Sequence, residues 1–139
     1  MSETNDNTRT YHGSCHCGLV RYEIDLDLSR GTGKCNCTIC TKTRKWGAIV
    51  RPDAFRLLQG REHLSDYQRS PKMHDYFCQR CGVRPFGEGH LEQIGGDYVS
   101  VNLSTLDDLA PEVLAEAPVT YYDGRNDRWW EPPAETRHL

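Results

Sequence analysis

Seven cysteines fall in three tight groups: Cys15 and Cys17; Cys35, Cys37 and Cys40; Cys78 and Cys81. No other feature of this 139-residue chain restricts its fold as strongly. Written as spacing, the groups read C-x-C, C-x-C-x2-C and C-x2-C. A disulfide framework is the plain alternative. Against it, an odd count leaves one thiol over, and the polar opening "MSETNDNTRT" does not read as a secretion signal. Glutathione keeps intracellular thiols reduced, so a soluble, cytoplasmic protein is the expectation. The other alternative is a scatter of buried core cysteines, which gaps of one and two residues disfavour.

Metal coordination accounts for the spacing better. Zn–S bonds of about 2.3 Å hold neighbouring sulfurs within about 4 Å of each other, and a C-x2-C turn brings two sulfurs that close. In "CHCG" and "CQRCG" the residue after the second cysteine is Gly18 or Gly82, which can take positive φ and let the backbone curl around an ion. Both knuckles then run on alike, as "CGLVRY" and "CGVRPF". Cys15, Cys17, Cys78 and Cys81 are therefore expected to form one closed, structural zinc site joining distant parts of the chain.

Cys35, Cys37 and Cys40, in "KCNCTIC", remain as three ligands with no fourth cysteine. Structural zinc sites are filled by four protein ligands, whereas catalytic ones keep three and leave a position for water or substrate. The second zinc is thus expected to be open, unless one of His12, His16, His63, His74, His90 or His138 completes it. Iron is the remaining metal to weigh, and the spacings do not match the common iron–sulfur runs.

Most of the remaining sequence reads as strand. In "LVRYEIDLDL", Val20, Tyr22, Ile24, Leu26 and Leu28 alternate with charged residues, the period of a half-buried strand. Shorter strands are expected at "KWGAIV", "AFRLLQ", "LSDYQR", "HDYF", "DYVSVNL" and "VTYY", with turn residues between them. Only "STLDDLAPEVLAEA" reads as helical, with Ser104 or Thr105 as a cap and Pro111 splitting it. The expected fold is mainly β: one small zinc-stapled domain over residues 11–130, with residues 1–10 and 131–139 as loose ends. Only 37% of the residues are hydrophobic, a modest core that metal cross-links would supplement. A net charge of −3 with no long basic run argues against nucleic acid, and no apolar stretch is long enough to span a bilayer. Self-association is left open.

"HGSCHCGLVRYE", "CNCTIC", "FCQRCGVRPFG" and "YYDGRNDRW" together resemble the glutathione-dependent formaldehyde-activating enzymes, the S-(hydroxymethyl)glutathione synthases, over about residues 11 to 130. The resemblance implies a β-tent of strands built around zinc and a carbon–sulfur lyase activity on formaldehyde and glutathione. It places the structural zinc on Cys15, Cys17, Cys78 and Cys81 and the catalytic zinc on Cys35, Cys37 and Cys40. Three thiolates give such a zinc a formal charge of −1, so it suits a thiol better than a water to be acidified. Glutathione carries two carboxylates, for which Lys42, Arg44, Lys45 and Arg125 are the candidate cations. Asp123 and Gly124 are expected to turn the chain so that Arg125 and Trp129 lie over the metal. His74, His90, Glu88 and Asp123 are the candidate proton acceptors.

Overall fold

The structure is a computed structural model that describes residues 7–139. Among the described residues ten strands form two sheets. The smaller has β1 (Arg9–Ser14), β2 (Arg21–Leu26) and β5 (Phe55–Gln59) in the order β1-β2-β5. The larger contains β3 (Thr32–Cys35), β4 (Gly47–Val50), β6 (Leu64–Ser70), β7 (Met73–Cys78), β8 (Phe86–Leu91), β9 (Gly96–Asn102) and β10 (Val119–Tyr122), ordered β10-β3-β4-β9-β8-β7-β6. Every pairing is antiparallel except that of β10 with β3, which is parallel and sets Tyr122 opposite Cys35. Two short helices complete the fold, α1 (Thr38–Thr43) and α2 (Pro111–Glu116). No helix among the described residues is long and apolar enough to cross a membrane.

The alternating run behaves as its period requires. Val20, Tyr22, Ile24, Leu26 and Leu28 are all buried; Val20 packs with Cys15 and Cys78, and the other four meet Ala48, Phe86, Val99 and Val101 of the larger sheet and Leu103 just after it. Phe55 stacks on Tyr22 with centroids 5.3 Å apart and meets Phe86 at 4.6 Å. The Tyr22 hydroxyl, buried with the ring, is satisfied by Thr105 Oγ1 at 2.7 Å. A Cβ on Gly13 would stand 2.2 Å from the Tyr22 ring, so only glycine lets β1 pass over it.

Three expectations need correction. β1 begins at Arg9, so residues 9 and 10 are paired in a sheet; residues 1–6 of that leader lie outside the described residues. "STLDDLAPEVLAEA" is not one split helix: Leu103–Thr105 is a single 3-10 turn, and Pro111 opens α2, where its missing N–H has no helical partner to lose. Thr105 does not cap a helix, because its hydroxyl is taken by Asn102 O and Tyr22. Beyond residue 130 there is no regular element, but the tail is tied down: Lys34 Nζ donates to Leu139 O (3.2 Å) and Arg44 to His138 O (2.6 Å).

Candidate metal centres

Cys15 follows the end of β1 and Cys78 ends β7, and each opens a tight turn. The two turns are built alike: Cys15 N donates to Val20 O (3.1 Å) and Cys78 N to Val83 O (3.0 Å), while Gly18 N and Gly82 N bond back to Cys15 O and Cys78 O. Gly18 and Gly82 have φ of +83° and +78°, the left-handed conformation that such a curl demands. The four sulfurs lie within 4.8 Å of one another, with Cys17 Sγ 3.6 Å from both Cys15 Sγ and Cys78 Sγ. A disulfide would put two of them about 2.05 Å apart, whereas the edges of a zinc–sulfur tetrahedron are about 3.8 Å long. Cys15 and Cys78 are buried among Val20, Leu57, Leu64 and Val83, and the backbone N–H groups of Val20 and Arg80 point at their sulfurs. This donor set could hold a metal ion and fits zinc. It joins the smaller sheet to the end of the larger one.

The second cluster is local. Cys35 ends β3, Cys37 caps α1 and Cys40 lies one turn on, so the three sulfurs converge within 4.8 Å. Among the described residues no histidine or carboxylate joins them, so none of the six candidate histidines completes this site. Hydrogen bonds from Cys35 and Cys40 drive the Cys37 thiol down to about 2, and the same crowding together with burial drives Cys40 up. Three thiols this close to one another oppose each other's ionisation. A divalent metal would let all three ionise, which fits this cluster as a second zinc site.

The loop is braced from far along the chain. Asn36, buried between two of the cysteines, donates from Nδ2 to Asp123 Oδ1 (2.8 Å) and accepts the Arg125 N–H at Oδ1 (2.9 Å). Hydrogen bonds from Asn36 and Asn126 hold the Asp123 carboxyl below its ordinary value. A Cβ on Gly124 would stand 2.6 Å from Cys35 Sγ and 2.6 Å from the Trp129 ring, so the turn closes on the cluster with no room to spare. Trp129 does reach the cluster, forming part of a cavity of about 230 Å³ with the three cysteines.

The expected cations are placed differently. Arg125 is exposed and donates from Nε to Asn36 O (3.0 Å), bracing the loop. Lys42 and Arg44 are exposed on the outside of α1 and border none of the cavities at the cysteines. Lys45 is half-buried and borders all three. Arg44 explains the reversal: it ends α1 in the left-handed conformation (φ 58°), which lets Lys45 N bond back to Cys40 O (3.1 Å). Burial pulls the Lys45 ammonium below its ordinary value, against the opposite pull of Cys40 and Asp75. Arg69 was not expected from the sequence; from the irregular end of β6 it reaches Asp75 Oδ2 (2.5 Å) beside the same cavity. Only the pairing of strands could reveal it.

Pairing also sorts the proton acceptors. Asp75, Gly87, Ser100 and Ile49 lie opposite one another across β7, β8, β9 and β4, on the face that meets the cysteines. The next row, His74, Glu88, Val99 and Val50, alternates to the other face, where Val99 is in the core. His74 and Glu88 thus border the cavity only from that far row, with His74 Nδ1 held by Asp66 (2.5 Å) and Glu88 by the Tyr76 hydroxyl (2.8 Å). His90 shares their alternation and pairs with Asp97, and Asp123 is consumed in the brace. The titratable groups of the cysteine face are Lys45, Asp75 and Tyr98.

A family model described as glutathione-dependent formaldehyde-activating enzyme matches residues 10–123. A relative from Halomonas elongata, whose name places it in that family, is 38% identical over 79 residues, an alignment covering 50% of this chain and 50% of the relative. The chain thus spans about half the length of the curated relative it matches. A crystal structure of a Rhodobacter sphaeroides protein shares the fold with a TM-score of 0.64 at 29% identity, over 78% of this chain and 99% of that one. The match of the family model takes in both cysteine centres and the brace at Asp123, and on that ground the chain belongs to the glutathione-dependent formaldehyde-activating enzyme family.

Proposed function

We propose that this chain joins formaldehyde and glutathione into S-(hydroxymethyl)glutathione, acting as a carbon–sulfur lyase with a catalytic zinc at Cys35, Cys37 and Cys40 and a structural zinc at Cys15, Cys17, Cys78 and Cys81. One observation carries the reading: three convergent sulfurs, without a fourth protein ligand among the described residues, open on cavities of about 230 and 330 Å³. Zinc there would supply one open coordination position for a thiolate or an aldehyde oxygen. In the reaction the thiol sulfur adds to the carbonyl carbon, the carbonyl π bond breaks, and the thiol proton ends on the new hydroxyl; no oxidant or reductant is needed. Asn36, Asp123 and Gly124 hold the ligand loop in one orientation, which is where a two-substrate addition gains most from a protein. Trp129 and Ile49 add apolar surface to the wall of the cavity. The proton is handled on the cysteine face, at Lys45, Asp75 or Tyr98. Seven free cysteines fit the reducing cytoplasm.

The exposed apolar rim of Ile49, Leu91 and Trp129 favours a second reading, a bulkier aldehyde or thiol on the same scaffold. Exchange NMR of adduct formation, with and without zinc-loaded protein, tests both. Enhancement with formaldehyde and glutathione supports the first reading. Enhancement only with a larger aldehyde supports the second, and none at all leaves a non-catalytic zinc module.

A further inference from the structure

Three cavities adjoin at the three-cysteine cluster, of about 30, 330 and 230 Å³, and Cys40, Lys45 and Ser100 are the residues common to all three. Lys45 is anchored beside this junction. Its backbone N–H is bonded to Cys40 O at 3.1 Å, and its stem runs over Gly47, where a Cβ would stand 3.1 Å from Lys45 Cε. Within the described residues Lys45 Nζ makes no hydrogen bond and no ion pair. Its ammonium thus presents unused donors to the cavities it borders.

Arg69, exposed on β6 but bordering two of the same cavities, supplies a second set of unused donors. Its Nε is taken by Asp75, and its two terminal nitrogens make no hydrogen bond within the described residues. Two cationic side chains with donors to spare beside the three cysteines can hold a carboxylate through charge-assisted hydrogen bonds.

We infer that Lys45 and Arg69 form the anion subsite of the three-cysteine centre, selecting thiols that carry a carboxylate, and that Lys42, Arg44 and Arg125 take no part in that selection. The inference rests on the proposed function for what the bound thiol then does, but not for the binding itself. The probe is S-methylglutathione, which keeps both carboxylates and has no free thiol, compared with its diethyl ester by calorimetry on the zinc-loaded protein. The wild type should bind the acid about tenfold more tightly than the ester, the scale of one charge-assisted contact. Lys45→Met and Arg69→Gln should each abolish that preference at unchanged zinc content, and Lys42→Ala should keep it. Gly47→Ala, which displaces the Lys45 stem without altering charge, should reduce the preference, guarding against a folding defect in the other two. Equal binding of acid and ester by the wild type, no binding of the acid, or an undiminished preference in Lys45→Met would overturn the inference. Selective binding without any rate enhancement on formaldehyde would refute the proposed reaction and leave the subsite standing.

Discussion

Cys78→Ser and Cys37→Ser each remove one thiolate, yet they should fail differently because the two clusters close very different lengths of chain. The first centre bridges Cys17 and Cys78, 61 residues apart, and so holds together two sheets that share no strand pairing. The second ties Cys35 to Cys40, five residues apart in sequence. If a metal clip is treated like a disulfide, closing a loop of 61 residues stabilises the fold by about 4 kcal/mol and one of five residues by about 2 kcal/mol. Cys78 is also fully buried, so serine there places an unpaired hydroxyl in the core, adding about 1–3 kcal/mol. The two variants should therefore differ by roughly 3–5 kcal/mol, and at roughly 4 °C per kcal/mol Cys78→Ser should melt some 10–20 °C below Cys37→Ser. Circular dichroism melts together with zinc counted per chain decide the matter. Cys37→Ser should keep one zinc and a cooperative melt. Equal melting temperatures would mean that the three-cysteine cluster carries as much of the fold as the other and would refute the division of roles.

Two further perturbations follow from local geometry. Gly124→Ala puts a methyl 2.6 Å from Cys35 Sγ, so zinc at the second centre should fall well below one per chain while the first stays loaded; elemental analysis showing two full sites would refute the crowding. Arg56 on β5 donates first to Asp25 and also to Glu23 on β2, and with a hydrogen bond from Thr10 it holds the Asp25 carboxyl below its ordinary value. A depressed carboxyl pKa stabilises the fold above the unfolded value, about 3.9, and that stabilisation is lost as pH falls through the folded value. Arg56→Met should raise the Asp25 pKa towards the ordinary range and lessen the acid sensitivity of β2–β5 pairing, read by carboxyl-detected NMR titration; an unmoved Asp25 would refute it.

The parts of this fold that were legible in the sequence are those decided over a few residues. The alternation from Val20 to Leu28 is written in period two, and the glycines at 18 and 82 follow from the turn each knuckle must make. Counting sulfurs separated a group of four from a group of three, and the sulfurs converge in those two groups. β8 was invisible because Gly87 and Gly89 sit on its outward face, where Asp75 and Tyr98 crowd in, and their missing side chains erase the alternation. α1 reads poorly as a helix, with three threonines in six residues and no side-chain cap, and is specified by bringing Cys37 and Cys40 together. Lys42, Arg44 and Lys45 look interchangeable in a string. One left-handed residue at Arg44 decides which of them meets the cysteines, and nothing in its chemistry announces that conformation. His74 and Glu88 have suitable chemistry and the wrong parity, which only strand register discloses.

The brace on Asn36 also sets an order of assembly. The first four sulfurs are all synthesised by residue 81, so that clip can close while the chain is still emerging. The three cysteines at 35, 37 and 40 are made early yet wait for Asp123 and Arg125, 87 and 89 residues later, and for β10 to lie parallel against β3. Pairings of such long sequence separation form late. During that interval the nascent chain carries three closely spaced thiols without their final wall, exposed to stray metal and to oxidants; after it, Gly124 and Trp129 have shut the near side. The residues that finish the three-cysteine loop are thus made long after its cysteines, so the loop gains its final shape only once Asp123 and Arg125 have emerged to hold it.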